Sequence, residues 1–280
     1  MLIPDLATFV KYIPTIGEYN PDPNRTDWDN LLSFVQEAEL MLKTNLLGVD
    51  LMGLITASAE TEIKTAACTV IACNAYYAAI PFVDLIQTPN GFAVVSNTNQ
   101  APASKERVDR LLKWLESRIS ESTDMLISLI FKDQTYNTAW KSFGLYDYYT
   151  ECLYMTADSF RRYCKKDALR YHLEELHPVL MSYQNKMGNM ISYEYMDDLL
   201  QKRRTNLLTV EDIAMIRTLM SVMGMLYRED NDTAYKLLET AVNTMVENIA
   251  KYPVYAASQA YRIKTDSKYK NEKNQPTFFF

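Results

Sequence analysis

The sequence predicts an all-α protein: two tandem helical bundles related by a degenerate duplication, one small β-hairpin near residues 86–95, and an extended C-terminal arm. Three observations carry this expectation. Only 7 Gly and 10 Pro stand among 280 residues, so helix breakers are few, while 48% hydrophobic content can fill a sizeable core. Apolar residues recur at three- and four-residue steps, the stripe of amphipathic helices. Segments of the first half also return, in order, in the second.

The pattern is cleanest over residues 26–54, TDWDNLLSFVQEAELMLKTNLLGVDLMGL, where Leu31, Phe34, Val35, Ala38, Met41, Leu42 and Leu46 share one face. Thr26 with Asp29 suits a capping box, and Gly48 suits a helix stop because glycine takes positive φ cheaply. Upstream, residues 6–13 form a short helix closed by Pro14, and a Pro/Asn/Asp-rich loop over 18–25 feeds the main helix. Residues 61–79 predict a central helix of small side chains (Ile63, Ala66, Ala67, Val70, Cys73, Tyr77) ended by Pro81. Residues 86–95, IQTPNGFAVV, carry the one β signal, with Asn90-Gly91 as a type I′ turn pair. A lone hairpin is marginal in water, so Ile86, Asn90, Gly91, Phe92 and Val94 are candidate inter-subunit contacts, or pack on a helix.

Residues 96–103 are a polar loop. Residues 104–130 predict a helix of about 40 Å, with Val108, Leu111, Leu112, Leu115, Ile119, Leu126 and Leu129 inward. Residues 133–144 are expected to be a boundary pinned by Trp140 and Phe143, and 145–164 an aromatic, helical stretch. Leu169, Leu173, Leu176, Leu180, Tyr183 and Met187 make a heptad seam for intramolecular packing. Thr209 with Asp212 caps a helix over Val210–Tyr227, and Asp230 or Asp232 caps the last one, which runs to about Ala250. The expected domains are therefore a first helical module with the hairpin (1–132), a second helical module (145–251) and an arm (252–280).

The duplication rests on ordered matches. Phe9-Val-Lys-Tyr12 parallels Phe160-Arg-Arg-Tyr163; Leu47 pairs with Ile191 and Asp50 with Glu194 at an offset of 144; residues 62–77 parallel 211–227; Arg110-Leu-Leu parallels Lys236-Leu-Leu at an offset of 126. The shorter offset follows because the second copy lacks the hairpin and its loop.

Net charge is −6, which argues against a general nucleic-acid binder. No apolar run reaches the roughly 20 residues of a membrane span, and Met1 to Asp5 open no signal peptide, so no membrane partner is expected. Cys68, Cys73, Cys152 and Cys164 form no CxxC pair and read as reduced thiols. In HLEELH, His172 and His177 lie five apart, about 140° around a helix, unlike the four-residue spacing of a metalloprotease. Asp197 and Asp198 are adjacent and diverge. No phosphate-binding glycine loop or nucleophile elbow is present, so no enzyme, metal or cofactor is expected. Arg161-Arg162 and Lys202-Arg203-Arg204 are candidate basic contacts, although a solvated helix end explains them as well. The arm is the most pointed functional feature. A lysine-rich stretch leads to Phe278-Phe279-Phe280, apolar surface that a soluble monomer seldom displays. Tyr261, Tyr269, Phe278, Phe279 and Phe280 are its candidate binding residues.

The short opening helix, the acidic loop, the Gln36-Glu37-Ala38-Glu39 helix, Leu47-Gly48 and the small-residue helix after it together resemble the head–tail connector (adaptor) proteins of tailed bacteriophages. PNGFAVV, NQAPAS and TADSFRRY are similar to a family of about this length encoded beside capsid genes in phages and prophages of gut Bacteroidales. The second copy has Ser192 where the first has Gly48. The resemblance implies a virion protein at the head–tail junction, assembled in the bacterial host cytoplasm. It implies a twelvefold homo-oligomeric ring that docks on the portal through C-terminal arms, meets downstream tail or neck proteins, and lets DNA pass its lumen without sequence-specific binding. The alternative is a helical protein–protein interaction module without ring assembly.

Overall fold

The Asp5 carboxylate accepts the Thr8 amide at 2.7 Å and opens a short helix, α1 (Leu6–Phe9), that seats Phe9 in the core. The computed structural model describes residues 1–13, 27–83, 85–88, 91–94 and 104–265. Pro14, the 18–25 loop, Thr26 of the expected capping box, Asn90 of the expected turn and the 96–103 loop lie outside them. Among these residues the fold is all-α apart from one two-stranded ribbon, and the chain divides into two units, Met1–Leu176 and His177–Phe280.

In the first unit, α2 (Asp27–Leu42) buries Val35, Ala38 and Leu42 and continues as a π-helical turn, Lys43–Leu47, that buries Leu46 and Leu47. Leu31 and Phe34 are half-buried, whereas Met41, expected inside, is exposed beside Leu40. Gly48 does not stop the helix. Its φ is 76°, its N–H bonds the Lys43 carbonyl five residues back, and α3 (Gly48–Ala57) starts at once. The glycine is a joint between two helices.

That joint explains the segment after α5 (Lys105–Lys132). A helix end leaves its last carbonyls without intrahelical donors. Here the buried Trp140 indole N–H donates to the Leu46 carbonyl at 2.6 Å, and the Tyr149 hydroxyl donates to the Asn45 carbonyl at 2.8 Å. Trp140 ends α6 (Gln134–Trp140), which Asp133 caps, and Tyr149 stands on α7 (Tyr146–Thr150). Ser142 donates to Asp50 at 2.8 Å, and Phe143 lies so close to Gly48 that a Cβ there would meet its ring at 3.0 Å. Residues 133–144 are therefore packed structure of the first unit and not the expected boundary.

At the centre, α4 (Glu62–Val83) packs against both α2 and α5. Beside Ile63, Val70 and Ile71, its buried residues include the small Ala66, Ala67, Ala72, Ala75 and Ala79 and the thiols Cys68 and Cys73, which lets neighbouring helices come close. Pro81 does not end it. The helix runs on to Val83, two residues past a proline that has no N–H to give the Tyr77 carbonyl. Strands β1 (Leu85–Thr88) and β2 (Gly91–Val94) pair antiparallel with Ile86 opposite Ala93 and Gln87 opposite Phe92. Helix α8 (Ala157–Cys164) carries a Thr156/Ser159 capping box. The buried Asp124 carboxylate accepts its Ala157 amide at 2.7 Å and pairs with Arg170 at 3.4 Å. Burial raises the pKa of Asp124, although Arg170 and the two amides it accepts oppose the rise.

The unit boundary falls inside α9 (Arg170–Ile191), where Pro178 interrupts the donors. Leu173, Leu180 and Met187 are buried at seven-residue spacing. In the second unit, Ser192 caps α10 (Tyr193–Arg204), and Thr209 with Asp212 forms a reciprocal capping box for α11 (Val210–Tyr227). Helix α11 packs on α12 (Asn231–Glu247). The chain past Tyr252 is not yet an arm. Two short helices, α13 (Pro253–Ala257) and α14 (Gln259–Thr265), follow, and Tyr252 and Tyr255 are buried with their rings 6.0 and 6.1 Å from that of Tyr195.

Two helical stretches, Leu31–Ala57 and Glu62–Phe82, do have the length and hydropathy of a membrane span. The second supplies the small-residue core of the first unit. The first is broken at Gly48 and exposes Leu40, Met41 and Val49.

Two glycines give opposite predictions. Gly48→Ala forces a Cβ into a glycine-only conformation against Phe143 and should cost about 1–3 kcal/mol. Gly53→Ala, exposed in α3 with open space around its Cβ position, should gain about 0.5–1 kcal/mol. Urea unfolding followed by far-UV circular dichroism measures both. All four cysteines are buried thiols outside any disulfide, and burial pushes the Cys73 thiol up to about 11 and raises Cys68. A colorimetric thiol reagent at neutral pH should therefore titrate them only as fast as the chain unfolds.

Candidate docking groove

The second unit holds an open groove of about 860 Å³. Its first wall is the α9–α10 junction. Gly188 lets the Tyr193 ring lie against the helix, since a Cβ there would stand 3.2 Å from the ring. Ser192 turns the chain with extended backbone, accepts the Tyr195 amide at 3.2 Å and donates to Glu194 at 2.6 Å, which lowers the Glu194 pKa. Helix α12 supplies the facing wall, and α13 and α14 close the groove along its length.

The floor is hydrocarbon and ring: Ile191, Leu238, Val242 and Tyr255 are all buried. The rim is also apolar. Met190 is 49% exposed, Tyr193 54%, Tyr235 41% and Ile263 70%. Rim charges are Glu194, Asp232 and Glu239 against Lys236 and Lys264, and the Lys264 ammonium donates to Asn243 at 2.8 Å. An apolar floor with scattered acids suits an aromatic or aliphatic segment carrying basic residues. The first unit has a smaller cleft of about 480 Å³ between α1, α4 and α5, with Tyr12 and Trp114 as walls and Lys11 and Arg118 at its edge.

The residues singled out from the sequence are distributed as follows. Tyr261 lies on α14, half-buried, with its ring 5.7 Å from that of the groove residue Tyr255. Tyr269, Phe278, Phe279 and Phe280 lie outside the described residues, as does Asn90. Ile86 is on β1, and Gly91, Phe92 and Val94 are on β2. The basic clusters are engaged within the chain. Arg161 donates to the Ala168 carbonyl at 3.2 Å, and both it and Arg162 pair with Asp158. Lys202 bridges Asp198 at 2.6 Å and Asp212 at 3.5 Å, and Arg203 is buried. Lys202, Arg203 and Arg204 therefore present no shared three-cation face, because adjacent helical residues point about 100° apart. His172 accepts the Leu169 amide at 3.0 Å. Among the described residues, no three His, Cys, Asp or Glu side chains converge as metal ligands.

Met190, Tyr193, Tyr235 and Ile263 escape a sequence reading built on core stripes. Tyr235 stands off the Ala234, Leu238, Ala241, Met245 stripe of α12, and that displacement is the signal that could have found it. Behind the groove, the Tyr195 hydroxyl is buried with no hydrogen-bond partner among the described residues. Burial first, then Asp212, Tyr252 and Asp198, raises its pKa strongly. Tyr195→Phe should keep the aromatic cluster and remove an unmet polar group. Thermal unfolding should show stability unchanged or raised by about 1 kcal/mol, whereas Tyr195→Ala should lose about 3–5 kcal/mol.

Residues 30–150 match the profile of a family of unknown function (DUF6712). That span runs from α2 to the end of α7 and contains Gly48, Trp140 and Tyr149. No curated protein and no solved structure is significantly similar to the chain.

Proposed function

We propose that the chain is a structural assembly subunit: a head–tail connector of a tailed phage, built into the virion as a ring that docks on the portal and extends the DNA channel. One observation carries the assembly reading. Each unit displays large apolar side chains on its surface: Leu40, Met41 and Val49 in the first, Met190, Tyr193, Tyr235 and Ile263 in the second. The four residues of the second unit line one groove, and apolar surface gathered in this way marks a protein contact. The resemblance of residues 26–54 and of the PNGFAVV and TADSFRRY segments to phage proteins supplies the setting. The acidic net charge suits a lumen that lets DNA slide.

The tandem reading draws support from the order of elements. Helix α2 with its π turn, α3, α4 and α5 run in the same succession as α9, α10, α11 and α12. Leu47 and Ile191, matched in the sequence, are each buried at the first joint of their series. The ring is twelvefold in this reading, and neck or tail proteins bind its far side. A non-ring interaction module is the second reading, favoured by the groove alone, which has the form of a helix or peptide acceptor.

Native mass spectrometry and negative-stain imaging of the purified chain with portal rings test the proposal. A closed oligomer bound to the portal is expected. A strict monomer that ignores the portal would exclude the connector role and leave the interaction module.

A further inference from the structure

The groove ends where the described chain ends. Ile263 and Lys264 form part of its rim, and Thr265 closes α14 immediately beyond them. Twelve residues, Asp266 to Thr277, then separate this rim from Phe278. Fully extended, they reach about 40 Å, so the three phenylalanines are held within range of the groove from which their tether departs. We propose that the groove is the receptor for the chain's own Phe278-Phe279-Phe280 segment, which occupies it in the unassembled protein.

Three features select this occupant. The first is size: aromatic side chains bury about 150–250 Å² each, and a site of about 860 Å³ lies in the range that holds ligands of a few rings. The second is chemistry. The floor of Ile191, Leu238, Val242 and Tyr255 offers apolar and aromatic contact, and the lining, with the acids Glu194, Asp232 and Glu239 against Lys236 and Lys264, complements a connecting stretch whose Lys268, Lys270 and Lys273 outnumber Asp266 and Glu272. The third is the tether. A short linker holds its end at an effective concentration on the order of millimolar, well above that of a second copy at micromolar protein. Occupation by the same chain therefore precedes exchange with a neighbour. The groove is self-capped until a partner presenting aromatic residues displaces the segment. This inference does not depend on ring formation or on the portal.

The test uses the full chain and a fluorescein-labelled peptide of residues 266–280. Sedimentation velocity establishes the oligomeric state, and fluorescence anisotropy reads peptide binding. In the triple variant Phe278→Ser, Phe279→Ser, Phe280→Ser the groove should be vacant and bind the peptide saturably. The parent chain should bind it about tenfold more weakly or worse, because its own segment competes from a tether. Adding Ile263→Asp, a position too exposed to disturb the core, should abolish peptide binding with far-UV circular dichroism unchanged; if that spectrum changes, Met190→Asp replaces it. Absence of saturable binding by the triple variant would overturn the proposal. So would equal affinity of the triple variant and the parent, or binding that survives the groove substitutions. A parent chain that self-associates while the triple variant stays monomeric would move the segment onto a neighbour and equally overturn self-capping.

Discussion

The first unit depends on the backbone carbonyls left over where its main helix turns at Gly48. A buried carbonyl without a donor costs about 1–3 kcal/mol, and the Leu46 carbonyl is answered by one indole N–H from 94 residues away. Tyr149 answers Asn45 in the same way. These two bonds fix α6 and α7 against the joint, and the Trp140 ring then packs on Tyr146 and Tyr149 at 5.2 and 6.0 Å. Both partners of this arrangement lie within residues 30–150.

In the second unit the turn between α9 and α10 is made by a different kind of residue. Ser192 has extended backbone and needs no glycine, and its hydroxyl supplies the cap that opens α10. The turn leaves Tyr193 outside the helix pair, resting on Gly188, and that displaced ring becomes one wall of the groove. A packing requirement at the joint and a docking surface beside it are therefore two effects of one short turn.

Helices with clear caps and stripes were legible from residues alone. Thr209 and Asp212 mark α11 because a capping box is local chemistry, and the seam through Leu173, Leu180 and Met187 survives as buried heptad positions. The misreadings share a cause. Gly48 was expected to stop a helix, Pro81 to end one, and residues 133–144 to link two modules; each outcome was decided by partners distant in sequence. Phe143 and Trp140 hold the Gly48 joint, Phe34 of α2 stacks on Phe82 just past Pro81, and the Leu46 carbonyl recruits the supposed linker. The tyrosines at 252 and 255 fell within the expected arm, yet they complete a ring cluster with Tyr195. The groove was the least legible feature, since its rim residues lie off every core face.

The π-helical turn Lys43–Leu47 has a consequence of its own. Such a turn is an α-helix that accommodates one supernumerary residue. Removing it would restore regular winding but rotate the preceding helix by about 100° relative to the joint. Either the Val35, Ala38, Leu42 face would then turn away from α4, or the Asn45 and Leu46 oxygens would turn away from their aromatic donors. The surplus residue works as a phase adjuster, letting the helix that leads into Gly48 meet two angular demands that an even winding could not satisfy together.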